Sequence, residues 1–404
     1  MKSLAHRPFE RILLIKLSAI GDVIHTVPLL HALRARYPTA RIDWLAKPTP
    51  AAFLRGLPGL DRVLVYGENQ TEAPRYNWDG VTHFARLIRD HRFLSMLADL
   101  RAARYDLVID MQGQMRSGFV AMVTGAPVRI GFDRPRPAVF EAEGKALPPG
   151  TIGRAWKGAR EGSWLAYTHV VPLPTLALHA VDRYLRVGTL LGFETTSPDF
   201  TLPPRPEAEA IVERLLREVC GAGADAPVVI APAALWETKR WRPESFAAVA
   251  RHFLALRRPV LLVGAPGEVA ECGHIAAMAP GAQVLAGRTS LAELAALLAR
   301  ASVILTNDSG PMHLAAALGR PVIAVFGPTH PVWVGPYRRA DAVQRAGTAC
   351  SPCYLRDLSR CPHDHACMRE VAPQTVIAAM EAALGRGDAV TGGAADLASG
   401  GDAD

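Results

Sequence analysis

Short, almost wholly apolar runs alternate along this chain with longer stretches whose apolar positions recur every three or four residues. Runs at Arg11–Leu17, Arg41–Leu45, Arg62–Val65, Asp106–Asp110 and Val128–Gly131 read as strands, with helical patterning at Val23–Tyr37 and Phe93–Tyr105. The rhythm returns in the second half. Strands are expected at Val228–Ala231, Val260–Val263, Gln283–Leu285, Val303–Thr306 and Val322–Phe326, and helices at Arg242–Leu256, Glu268–Met278, Leu291–Ala301 and Met312–Leu318. Strands apolar on both faces and separated by helices belong to parallel sheets covered on both sides. The expected fold is therefore α/β, with two doubly wound, Rossmann-like domains facing across a cleft.

Thr195–Pro206 carries four prolines in twelve residues and cannot be a helix interior or a central strand, so it separates the domains. The expected division is residues 1–200, residues 207–372, a helix at 373–386 and a disordered tail at 387–404. Segments 68–85 and 134–178 are long and weakly patterned, as functional or mobile loops are.

Composition narrows the class. Half of the 404 residues are hydrophobic and 21% are charged, which is ordinary globular material. The net charge of +7 suits an anionic partner, but no block of Lys and Arg is dense enough to point to nucleic acid. The N-terminus lacks the apolar core of a signal peptide, and no run reaches membrane-spanning length, so the expected location is cytoplasmic. No GxGxxG and no GxxxxGK[ST] occurs, which weighs against nicotinamide dehydrogenases and P-loop NTPases.

Doubly wound sheets bind ligands at the carboxyl ends of their strands, so the residues following each strand carry the chemistry. Asp22, after the first strand, reads either as a helix N-cap or as a carboxylate base. Arg116, after the fourth, reads either as a solvated helix start or as a bidentate partner for an anion. Val303–Thr306 runs into Asn307, Asp308, Ser309, Gly310, Pro311, Met312 and His313. A turn at Gly310 with Pro311 opening a helix makes an anion-binding N-terminus, and His313 adds a donor. Lys239, between Trp236 and Trp241, is a point-charge partner for phosphate, and Glu268 follows another strand as ribose-binding carboxylates do. Together these loops describe a nucleotide-diphosphate pocket in the second domain.

The segments LSAIGDVIHTVPLLHAL, YDLVIDMQGQMRS, ETKRW, VGAPGE and TNDSGPMHLAAALGRPVIAVFGPTHP resemble glycosyltransferase family 9, the ADP-heptose:lipopolysaccharide heptosyltransferases. The resemblance spans Arg11 to Tyr337 in the family's order. It implies a GT-B fold, an N-terminal domain that receives a lipid-linked acceptor, and a C-terminal domain that receives ADP-heptose. It also implies inverting transfer that requires no metal cofactor. By the same resemblance Asp22 stands at the family's catalytic base, Lys239 on the donor diphosphate and Glu268 on the ribose. Asp308, Ser309, Gly310 and His313 fall in the donor-binding turn, Thr289 falls beside the adenine, and Arg116 suits an anionic lipid A–Kdo acceptor. Ala233, Ala234 and Leu235 stand where some members carry hydroxyl residues near the phosphates. The GDVIHTVP and YDLVIDMQGQMRS segments look like the enzyme that adds the first inner-core heptose. The TNDSGPMH segment and the Cys-rich tail look like the one that adds the second. The implied location is the cytoplasm, with peripheral contact at the inner face of the inner membrane.

Four cysteines, Cys350, Cys353, Cys361 and Cys367, crowd into one segment with His363 and His365. They read as a structural zinc site, an iron–sulfur site, or reduced thiols in an irregular loop. Two other functions compete with heptosyl transfer: a transferase of the same fold using another nucleotide sugar in surface-glycan assembly, and a non-catalytic nucleotide-sugar-binding protein.

Overall fold

The computed structural model describes residues 4–67, 90–134, 158–173 and 178–395, with side chains to residue 385. The expected loop 68–85 lies outside the described residues. Contacts divide the chain into two units that meet in sequence at Pro203 and Pro204.

The first unit holds β1 (Arg11–Ile15), β2 (Arg41–Ala46), β3 (Arg62–Val65), β4 (Leu107–Asp110), β5 (Val128–Phe132) and β6 (His169–Val171). They form one parallel sheet in the order β3-β2-β1-β4-β5-β6. Its four inner strands are largely buried, and because side chains alternate along a strand they feed a core on each face. Ile12 and Leu14 join one core with Val27 and Leu30, while Leu13 and Ile15 join another with Phe93, Leu97 and Val120.

The second unit holds β7 (Val228–Ala231), β8 (Val260–Leu262), β9 (Gln283–Val284), β10 (Val303–Asn307), β11 (Val322–Phe326) and β12 (Val343–Arg345). Its order, β12-β11-β10-β7-β8-β9, repeats the first sheet's topology. In each sheet the strand order reverses once, between β1 and β4 and between β7 and β10, and such reversal points are where ligands bind.

Several expectations needed correction. β6 and β12 were not expected; each is a three-residue sheet edge, too short to show a period. β6 also lies inside the weakly patterned segment 134–178. The helix expected at Val23–Tyr37 is two helices, Ile20–Ile24 and Val27–Arg36. Pro28 has no N–H to give to Ile24 in a continuous helix, and the Thr26 hydroxyl donates instead to the Asp22 carbonyl at 2.8 Å. The last helix runs from Pro373 to Ala395, into the stretch expected to be disordered. Val376, Met380 and Ala383 pack it into the core of the second unit.

Candidate active site

In the second unit the chemistry-bearing residues follow five neighbouring strands. Across the carboxyl edge they are Thr329 after β11, Asp308 and Ser309 after β10, Lys239 after β7, Glu268 after β8 and Thr289 after β9. At the reversal point, Lys239 Nζ lies 2.6 Å from Asp308 Oδ2. The same carboxylate oxygen accepts from the Thr329 hydroxyl at 2.6 Å. Burial alone would raise the Asp308 carboxyl, but the charges of Lys239 and His313 outweigh it and hold it below its ordinary value. Lys239 also stands 4.5 Å from the centre of the Trp236 ring.

Local sequence explains why Lys239 is held there. Glu237–Lys239 is a single 3-10 turn. Inside it the buried Thr238 hydroxyl donates to the Leu355 carbonyl at 2.6 Å, and His365 Nε2 donates to the Thr238 carbonyl at 2.7 Å. The Leu358 amide approaches Glu237 at 3.4 Å. On the other side, the buried Asn307 side chain accepts from the Trp241 amide at 3.1 Å and so ties the end of β10 to the same loop.

Ser309 is the N-cap of the helix Gly310–Ala317, with Pro311 in its first turn. Its Oγ is buried and makes no hydrogen bond among the described residues. A polar atom in that state beside free helix amides is ready for an anion. His313 is buried one turn further on. Glu268 closes the turn Pro266–Glu268, where its Oε2 accepts from the Ala265 amide at 2.7 Å. Gly287 donates to the Gly264 carbonyl at 2.8 Å, which joins the loop bearing Glu268 to the loop bearing Thr289. Thr289 immediately precedes Ser290, the N-cap of the helix Leu291–Arg300.

In the first unit, Asp22 sits in the first turn of Ile20–Ile24, whose N-cap is Ala19 rather than Asp22. The loop between β1 and this helix is latched by Gln112, whose Oε1 accepts from the Leu17 amide at 3.0 Å. Behind it lies a buried lysine, Lys16, whose Nζ donates to the Met111 carbonyl and to the Tyr184 hydroxyl, both at 2.8 Å. Asp110, fully buried at the end of β4, accepts from the Gln112 amide at 2.9 Å and the Tyr167 hydroxyl at 2.9 Å. Sequence reading missed Lys16, Tyr184 and Thr329. Lys16 had one signal, a charge closing the apolar run Ile12–Ile15; the other two had none.

Arg116 is not a solvated helix start. It is half-buried, and its Nη2 donates to Gln114 Oε1 at 2.7 Å. Burial holds its guanidinium below the ordinary value, and neighbouring Arg160 adds to this. Lys47 is pushed down likewise, by burial and then by Arg116. Arg116 thus stands among charged neighbours, with Glu161 and Tyr66 opposing the effect of burial and Lys47 and Arg160 close by. A cavity of about 820 Å³ lies elsewhere in this unit, between β3 and the helix His91–Ala102, and none of these site residues lines it.

A family model described as glycosyltransferase family 9 (heptosyltransferase) matches residues 93–143 and 146–361. The chain belongs to glycosyltransferase family 9. This family 9 chain is 27% identical over 388 residues to lipopolysaccharide heptosyltransferase 1 of Pseudomonas aeruginosa, covering 93% of this chain and 98% of that protein. It is 26% identical over 385 residues to lipopolysaccharide heptosyltransferase 2 of Escherichia coli, with the same two coverages. Among solved structures, a family 9 glycosyltransferase from Veillonella parvula matches with TM-score 0.71 at 22% identity, covering 95% of this chain and 98% of that one. The E. coli heptosyltransferase WaaC with ADP-2-deoxy-2-fluoro heptose matches with TM-score 0.58 at 26% identity, covering 83% of this chain and 93% of that one. The fold class is that of the GT-B heptosyltransferases, and the protein is a heptosyltransferase enzyme.

The structure gives the zinc reading of the Cys-rich segment of this family 9 chain no support. Among the described residues, no group of three or more His, Cys, Asp or Glu is arranged to hold a metal. None of Cys350, Cys353, Cys361 and Cys367 is joined in a disulfide. Burial, with the nearby thiols adding to it, pushes Cys367 up to about 12, and burial also raises Cys353. The segment braces the loops of Lys239 and Thr329, through Leu355 and His365 on Thr238 and through the Tyr354 amide on the Pro328 carbonyl at 2.8 Å.

Proposed function

We propose that the enzyme transfers heptose from ADP-heptose to the inner core of lipopolysaccharide, on Kdo–lipid A or its heptosylated form. Transfer inverts the anomeric carbon, with Asp22 as the general base. The observation that carries this reading is Lys239, held by Asp308 beside a helix N-terminus whose Ser309 Oγ is buried and unpartnered. The names of the relatives, lipopolysaccharide heptosyltransferases 1 and 2, support the substrate class.

In this mechanism Asp308 orients the lysine rather than binding phosphate itself. The ammonium keeps further N–H donors for the leaving diphosphate, and Ser309 Oγ with the first amides of Gly310–Ala317 completes the cradle. Charge builds on the diphosphate as the anomeric centre becomes oxocarbenium-like, so these donors stabilise the transition state more than the ground state. Glu268 takes the ribose hydroxyls, and Thr289 lies at the adenine. An acceptor hydroxyl attacks from the opposite face of the sugar and passes its proton to Asp22 late in bond formation. One base suffices for inversion. Arg116 serves an anionic group of the acceptor. Among the described residues no helix is long and apolar enough to cross a membrane, and in this reading the lipid-linked acceptor is met by peripheral contact at the inner face.

The test is a transfer assay with ADP-heptose and Kdo2–lipid A, repeated with a heptosylated acceptor, for the natural protein and Asp22→Asn. Transfer that falls about 10²-fold or more in the variant, with ADP-heptose binding retained, is the expected result. Unchanged transfer by Asp22→Asn removes Asp22 as the base. Turnover of a UDP- or GDP-hexose in place of ADP-heptose overturns the donor.

A further inference from the structure

Lys16 is a lysine that the mechanism above does not use. It follows β1 directly, is 4% exposed, and still takes part in the sheet through its amide on the Leu45 carbonyl at 3.2 Å. Taking an ammonium out of water costs several kcal/mol unless charge and hydrogen bonds offset it. Two neutral oxygens, Met111 O and Tyr184 Oη, accept from its Nζ. They supply geometry but no opposite charge. Burial alone would push the ammonium down; Asp22 is the foremost of the groups that push it up, ahead of Tyr184 and Asp110, and the net direction is upward. Asp110 already accepts from the Gln112 and Gly113 amides and the Tyr167 hydroxyl. Asp22 stands six residues on, in the first turn of the helix that β1 runs into, so the two groups share one strand end and Asp22 is the foremost opposite charge near the buried ammonium.

We propose that Lys16 is a positioning residue for the transfer step. Its ammonium, clamped between the Met111 carbonyl and the Tyr184 hydroxyl, is the fixed positive charge against which the Asp22 carboxylate is oriented and kept ionised as the acceptor covers it. The clamp joins the end of β1 to the end of β4 and to the helix Ala180–Leu185, so the charge is set by the fold rather than by a flexible side chain. A base that loses water on acceptor binding tends to pick up a proton, and a fixed ammonium opposes that. The other charged or titratable groups packed here are Asp110 from β4, Tyr184 and the buried Arg183 from Ala180–Leu185, and the edge-to-face rings of His25 and His179.

This inference rests on Asp22 being the base, so Asp22→Asn is assayed beside Lys16→Met and Tyr184→Phe in the full-length protein. Methionine fills the space of the lysine stem without its charge. Lys16→Met is expected to lower kcat about 10²-fold while ADP-heptose affinity stays unchanged. The acidic limb of its kcat–pH profile should move about one unit to higher pH, because the carboxylate has lost a favouring charge. Tyr184→Phe, which removes only the hydroxyl, is expected to lower kcat about fivefold with the limb moved in the same direction. It decides the matter alone if Lys16→Met does not fold. Natural kcat and an unmoved limb in these variants, with Asp22→Asn inactive, overturn the role of Lys16 and leave the base in place. An active Asp22→Asn overturns both.

Discussion

Lys239 Nζ and Asp308 Oδ2, 2.6 Å apart, join the loop after β7 to the turn after β10 across the point where the second sheet reverses its strand order. Asp308 is held in turn by Thr329, from the loop after β11. Three neighbouring strand ends thereby fix one ammonium before any ligand arrives, which is the preorganisation that electrostatic catalysis needs.

Removing either partner should therefore cost more than a surface charge would. Lys239→Met is expected to lower kcat/KM for ADP-heptose about 10²–10³-fold. Asp308→Ala should lower the unfolding free energy by about 3 kcal/mol, because it strands a largely buried ammonium. Steady-state kinetics and denaturant titration check the two.

The same pair sets a pH dependence. The folded Asp308 carboxyl lies below its ordinary value of 3.8, because Lys239 and His313 outweigh burial. Its contribution to stability is complete above the unfolded value and is lost as pH falls through the lower folded one. Denaturant midpoints between pH 6 and pH 2.5 should fall less steeply below pH 4 for Asp308→Asn than for the natural protein. Equal slopes would refute this.

His365 reaches the donor side at one remove, through the Thr238 carbonyl. His365→Ala should release the Lys239 loop and raise KM for ADP-heptose about fivefold, the worth of one hydrogen bond, with the melting temperature nearly unchanged.

Gly287 has φ of +74°, and a Cβ there would stand 3.2 Å from Pro266 Cα. Gly287→Ala should cost about 1–2 kcal/mol and weaken donor binding by disturbing the loops of Glu268 and Thr289. Gly347→Ala, where a side chain would meet nothing within 4 Å, is the matched control.

Thiol reactivity should follow burial. At pH 8, Cys272 and Cys367, both pushed up to about 12 chiefly by burial, should resist iodoacetamide in the native protein. The half-buried Cys350 and Cys361 should be labelled first, as peptide mass mapping over time would show.

Ten of the twelve strands among the described residues were legible in the chain, the inner ones because a strand buried on both faces is a nearly unbroken apolar run. β6 and β12 were not, since a three-residue edge strand has no period to read. The helix break at His25–Thr26 was readable in principle from Pro28 and went unread. Among the candidate site residues, Asp22, Lys239, Glu268 and the Asp308–His313 turn stood out because each follows a strand, at the sheet edge where ligands bind in this fold.

Local sequence by itself determined the elements, the two-unit rhythm and which loops carry chemistry, since these depend on neighbours a few residues apart. Only the tertiary structure decided the partnerships: Lys239 with Asp308, sixty-nine positions on, Lys16 with Tyr184, His365 with Thr238, and the Cys-rich segment with the Lys239 loop. Those contacts arise from parallel strand order, which brings distant strand ends side by side, and no local period records that order.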